Sequence, residues 1–145
     1  MPTLILRFSN LSGLLLALIC NLAFGHDCST ADTQRQINRC ADAQLQAAQS
    51  VLDQHLNLYQ SLVSDSQAEL LHQTQQAWEE YRDAHCALLA SGVEGGSAYS
   101  MVVALCKTDM TKQRVNALAA QMNCEEGDLS CLVPFSGSHA PAWEP

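Results

Sequence analysis

Six cysteines, Cys28, Cys40, Cys86, Cys106, Cys124 and Cys131, follow residue 25, and a seventh, Cys20, precedes it. Where the chain is cut therefore decides how its thiols can pair. Met1 to Gly25 reads as a secretory signal. Arg7 supplies the positive start. Leu11 to Phe24 is an apolar run broken by Ser12, Gly13 and Asn21. That run is short of the roughly 20 apolar residues a membrane span needs. Ala23-Phe24-Gly25 places small side chains at −3 and −1, so cleavage is expected before His26. Lipid attachment at Cys20 is the weighed alternative, and Ile19 disfavours it because a lipoprotein signal wants a small residue there. An uncleaved anchor is the other alternative. Cleavage before His26 leaves an even number of cysteines, and an even count in a small exported domain implies disulfides. A zinc site or a redox site would want C-x-x-C, and none occurs.

The 145 residues allow one domain. Leu (21), Ala (19) and Gln (13) dominate, whereas Val (7) and Ile (3) are scarce, which biases the chain towards helix. Asp plus Glu outnumber Lys plus Arg by 15 to 7, for a net charge of −8. Removing Arg7 deepens it by one. Such a surface repels phosphate backbones and anionic lipid, so no nucleic acid and no stable membrane insertion after signal cleavage are expected. A cationic partner is easier to accept.

Three amphipathic helices follow from the spacing of apolar residues. The first is expected from about Ala31 to Leu62, capped by Ser29 and Thr30, with Ile37, Ala41, Leu45, Ala48, Leu52, Leu56, Tyr59 and Val63 on one stripe. The second begins at the capping box Ser66-Gln67-Ala68-Glu69. Its stripe runs through Leu70, Leu71, Thr74, Ala77, Trp78, Tyr81, His85, Leu88 and Leu89, and Gly92 stops it through a positive φ. The third runs from about Ser97 to Met122, with Ala98, Met101, Val102, Leu105, Val115, Leu118, Ala119 and Met122 inward and a polar stretch from Lys107 to Arg114 interrupting it. The fold class expected is all-α: an antiparallel three-helix bundle stapled by disulfides, with an irregular C-terminal tail. The divisions are 1–25 signal peptide, 26–123 helical domain, and 124–145 disulfide loop and flexible tail.

Short turns make successive helices antiparallel neighbours. The start of the first helix, the end of the second and the start of the third then share one pole, and Cys28, Cys40, Cys86 and Cys106 gather there. Four cysteines allow three pairings, and sequence does not choose among them. The working expectation is Cys40–Cys86 and Cys28–Cys106, with Cys124–Cys131 separate.

The stretch Ala77-Trp78-Glu79-Glu80-Tyr81-Arg82-Asp83-Ala84-His85-Cys86 is the most distinctive in the chain. Glu94-Gly95-Gly96-Ser97, Cys106 and Thr111-Lys112-Gln113-Arg114 follow it. Asp27-Cys28, Thr33-Gln34 and Asn38-Arg39-Cys40-Ala41 precede it. Together, over about Asp27 to Ala119, these resemble the lysozyme inhibitor LprI-like N-terminal family. The resemblance implies a small, exported bacterial helical domain held by disulfides among Cys28, Cys40, Cys86 and Cys106. It also implies inhibition of lysozyme. The acidic tail with its two further cysteines departs from the family pattern.

Weighed residue by residue, the chain offers no catalytic constellation. Trp78 and Tyr81, at helical spacing with Ala77 and Leu88, read as core. His85 and Cys86 are adjacent on a helix and do not face each other, so they make no nucleophile–base pair. His55, His72 and His85 lack the i, i+4 spacing of metal ligands. Glu79 and Glu80 diverge by about 100° and flank no common bond. No catalytic residue, metal or cofactor is expected. The segment from Gly92 to Ser97 is a connector and not a phosphate cradle, since no strand precedes it and it carries no Lys. The candidate partner-binding residues are Glu94, Gly95 and Gly96 in that exposed turn, together with Arg82 and Asp83 on the second helix. Arg114 is expected to meet Asp83 or a helix C-terminus.

Two functions compete. The first is a periplasmic or secreted inhibitor of a cationic lysozyme, acting by steric and electrostatic occlusion. The second is an envelope structural or assembly protein that binds another cell-surface component.

Overall fold

The computed structural model describes residues 30–122 and 127–132. Three helices fill the described residues, with no strand among them: α1 (Gln34–Leu62), α2 (Asp65–Ala90) and α3 (Tyr99–Met122). The all-α expectation holds. The expected signal segment, Cys28, Cys124 and the residues beyond Leu132 lie outside the described residues.

Each of the first two helices starts where a side chain satisfies its free backbone donors. Thr33 is extended at φ −119° and caps α1. Its Oγ1 accepts the Gln36 N–H at 3.3 Å, while Gln36 Oε1 accepts the Thr33 N–H at 2.9 Å. The helix therefore begins three residues later than the Ala31 expected. A similar pair opens α2: the Ser64 N–H donates to Gln67 Oε1 at 3.0 Å. The box expected at Ser66 and Glu69 is thus displaced by an overlapping one two residues earlier. That earlier start also puts Asp65 in the first turn, where the helix dipole favours a carboxylate. Only Val63 and Ser64 separate α1 from α2.

The helix end at Ala90 differs from expectation in the same way. Gly92 carries no positive φ; α2 instead tightens into a 3-10 turn over Ser91–Val93. The left-handed residue is Gly95, at φ 75°. The Gly96 N–H then donates to Val93 O at 3.0 Å and the Tyr99 N–H to Gly96 O at 3.2 Å, which turns the chain into α3.

Contacts between helices give the topology. Asn38 near the start of α1 donates to Ser97 O at 2.9 Å, at the start of α3. Tyr59 near the end of α1 reaches Gln121 near the end of α3, at 3.5 Å. So α1 and α3 run parallel and α2 runs antiparallel to both. Helix α3 is the shared element: α1 packs along it, α2 packs on it, and α1 and α2 touch each other little.

The interior is divided along the bundle axis. Leu52, Tyr59 and Leu118 are fully buried, with Leu56, Val63, Leu71, Trp78, Val115 and Met122 packed around them, towards the α1–α2 link. Towards the opposite pole the buried positions are small: Ala41, Ala48, Ala90, Ala104, Thr108 and Thr111. The threonines fall in the stretch of α3 expected to be a polar interruption. Thr108 is tolerated inside because its hydroxyl donates to Ala104 O, one turn back, at 2.8 Å.

A disulfide joins Cys86 of α2 to Cys106 of α3, with Cα atoms 5.6 Å apart. This overturns both Cys40–Cys86 and Cys28–Cys106. The physical reason is the same as for the packing: α2 lies on α3 and barely on α1, so the thiol within reach of Cys86 is on α3. Cys40 and Cys131 are also disulfide-bonded. The expected Cys124–Cys131 bridge involves a residue outside the described range. Gln67 donates to Leu132 O at 3.2 Å, which places the 127–132 segment at the start of α2.

Candidate interaction surface

Arg82 points inward from the middle of α2 and is 9% exposed. Its Nη1 donates to Gln49 Oε1 on α1 at 3.0 Å and to Thr111 Oγ1 on α3 at 3.4 Å. Its Nε donates to Asp83 Oδ1 at 2.9 Å. One guanidinium thus ties all three helices, which a planar fork of five donors permits. Trp78, one turn earlier, receives Arg82 on its ring at 5.1 Å and Arg114 at 5.8 Å. Arg114 also donates to Gln75 at 3.3 Å, and Gln75 donates onward to Glu79 at 3.0 Å. Arg114 was expected to meet Asp83 or a helix C-terminus; it meets Gln75 and the Trp78 ring, and Lys107 is the residue that joins Arg82 at Asp83, at 3.0 Å.

These contacts set the local electrostatics. Burial pushes the Asp83 carboxyl up, but hydrogen bonds from Lys107 and Arg82 outweigh that and hold it below the usual carboxylate range. Burial lowers Arg114, partly offset by Tyr59, and raises the Tyr59 phenol against the opposing pull of Arg114.

The candidate residues therefore fall into two groups. Arg82 is an internal brace and Asp83 is half exposed at its edge. Glu94, Gly95 and Gly96 are exposed, on a turn that is open from Ser91 to Ser97. The structure brings Asp83 next to Arg82 and leaves Glu94 free on the turn's surface.

Sequence reading missed the outer face of α2. Tyr81 is 60% exposed and Leu88 70% exposed, and Leu70 and Leu89 are exposed as well. All four were expected to be inward. Helix α2 carries two apolar sides, and α3 covers only the one bearing Leu71, Trp78 and Cys86. Tyr81 stacks on His85 at a centroid distance of 5.6 Å, so that histidine is engaged with an aromatic ring and not with Cys86. Among the described residues no three His, Cys, Asp or Glu side chains cluster as a metal site, and no helix is long and apolar enough to cross a membrane.

The described residues thus form a disulfide-braced helical bundle with an exposed turn carrying Glu94 and an exposed apolar face on α2. The chain is a member of the lysozyme inhibitor LprI family, whose sequence profile matches residues 26–118, covering α1, α2 and most of α3. It is also similar to an uncharacterized protein of Rhizobium meliloti (strain 1021), 30% identical over 113 residues that span 69% of this chain and 81% of the relative. No solved structure matches.

Proposed function

We propose that this protein is exported and inhibits a cationic lysozyme by covering its cleft, performing no chemistry of its own. The observation that carries the reading is the family match, which runs over nearly the whole described bundle. The net charge of −8 supports it, because opposite charge raises the encounter rate with a basic enzyme. Glu94, Gly95 and Gly96 form the projecting element that meets the enzyme first. Asp83 adds charge on α2, and Arg82 contributes by holding α2 in place. Export follows from removal of residues 1–25, leaving the 26–123 domain and the 124–145 tail in the periplasm or medium.

Muramidase turnover tests this. Stoichiometric protein lowers turnover, and added salt restores it. Unchanged turnover across several lysozymes at micromolar protein overturns the reading and leaves the envelope-assembly role, for which an envelope component recovered in a pull-down is the expected sign.

A further inference from the structure

The exposed side of α2 has a regular layout. Leu70, Thr74, Ala77, Tyr81, Ala84 and Leu88 are all exposed and recur at alternating spacings of four and three. That is the periodicity of a seam that receives another surface. It continues through Leu89 and Val93, both exposed, into the turn carrying Glu94. Nothing in the described bundle covers it, since these side chains are exposed with all three helices in place.

Charge decides between occupants. Helix α2 bears Asp65, Glu69, Glu79, Glu80 and Asp83, against the single guanidinium of Arg82, which is turned inward. Two copies of this helix pair antiparallel in the register that sets Leu70 opposite Leu88 and Ala77 opposite Tyr81. That register is centred beside Glu80 and brings the two Glu80 carboxylates together, where like charges repel. A basic protein meets the same acids favourably.

We infer that the outer face of α2, centred on Tyr81 and Leu88 and flanked by Glu69 and Glu80, is the surface that holds a cationic protein partner. The acidic turn steers the encounter, and the apolar stripe supplies the desolvated contact that slows release. This rests on the lysozyme-inhibitor reading above, and names where on the chain the enzyme is held.

The test measures binding of the full oxidised chain to a basic lysozyme by calorimetry, for the unsubstituted protein and for Tyr81→Ser, Leu88→Asp and Glu80→Lys. Val51→Ser, an exposed apolar site on α1, is the control. All four positions are exposed, and melting curves within a few degrees of the parent confirm folding. The expected result is affinity at least tenfold weaker for each α2 variant and unchanged for Val51→Ser. Parent-like binding by the α2 variants overturns the surface assignment while leaving the inhibitor reading intact. A parent that binds no lysozyme overturns both. A two-chain species in sedimentation that Leu88→Asp dissolves makes the stripe a self-interface and also overturns the assignment.

Discussion

The guanidinium of Arg82 sits 5.1 Å from the centroid of the Trp78 ring, inside the bundle, where the cation and the indole share the space between α2 and its neighbours. The same guanidinium reaches Gln49 of α1 and Thr111 of α3. The α1 and α2 backbones approach each other at few places, and this side chain bridges them directly.

Replacing Arg82 by Ala leaves the Gln49 amide and the buried Thr111 hydroxyl without this donor and removes a cation from the Trp78 face. The expected loss is about 3 kcal/mol, the scale for breaking a buried charged hydrogen-bond group. Arg82→Lys recovers little, since one ammonium cannot reproduce the fork. Urea unfolding at neutral pH reads both variants. A loss below about 0.5 kcal/mol, the size of an ordinary surface substitution, would show that the brace is idle.

The Cys86–Cys106 bridge closes a loop of sequence separation 20. Opening it by the paired change Cys86→Ala and Cys106→Ala should cost about 3 kcal/mol through the freed entropy of the unfolded chain. Denaturation midpoints of the oxidised parent and the double variant measure this. Equal midpoints would mean that packing alone sets the α2–α3 contact.

Asp83 gives stability an acid limb. Its folded carboxyl titrates below the unfolded reference near 3.9. Its contribution is therefore complete above that reference, and is lost as pH falls through the lower folded value. The side chain is half exposed, so the effect is small and shrinks with salt. Asp83→Asn should lie below the parent at neutral pH and converge with it on acidification. Parallel curves down to pH 2 would contradict the pairing with Lys107 and Arg82.

Glu94→Lys should slow association with a basic lysozyme severalfold at low salt and leave dissociation unaltered, because a rim charge acts on encounter. The difference should vanish near 0.5 M salt, where the screening length drops to a few ångströms. Equal association rates at low salt would remove Glu94 from the steering surface.

The three helices were legible because apolar residues recur at three and four, and α3 ends at the Met122 that the pattern marks. Helix α2 was not legible in the same way. Its apolar residues come in adjacent pairs, Leu70-Leu71, Ala77-Trp78 and Leu88-Leu89, which specify two faces and do not say which one a neighbour covers. Only the packing of α2 on α3 separates buried Trp78 from exposed Tyr81. Thr108 and Thr111 read as polar because hydroxyls usually face water, yet one bonds its own helix and the other meets Arg82. The burial of Arg82 left one trace in sequence, its i, i+4 spacing from Trp78, a geometry that stacks a guanidinium on an indole. The nearness of Cys86 and Cys106 followed from turn positions, but pairing turns on which backbone comes within 5.6 Å.

The division of the interior has a consequence for where the chain can work. Bulky apolar side chains fasten one end, whereas small residues and a sulfur–sulfur bond fasten the other, beside the Glu94 turn. A thiol reductant opens the Cys86–Cys106 clasp, whereas the apolar packing of Leu52, Tyr59 and Leu118 does not depend on sulfur. In a reducing environment the two helices that flank the turn are expected to part from that tip first, because no bulky apolar cluster among the described residues holds them there.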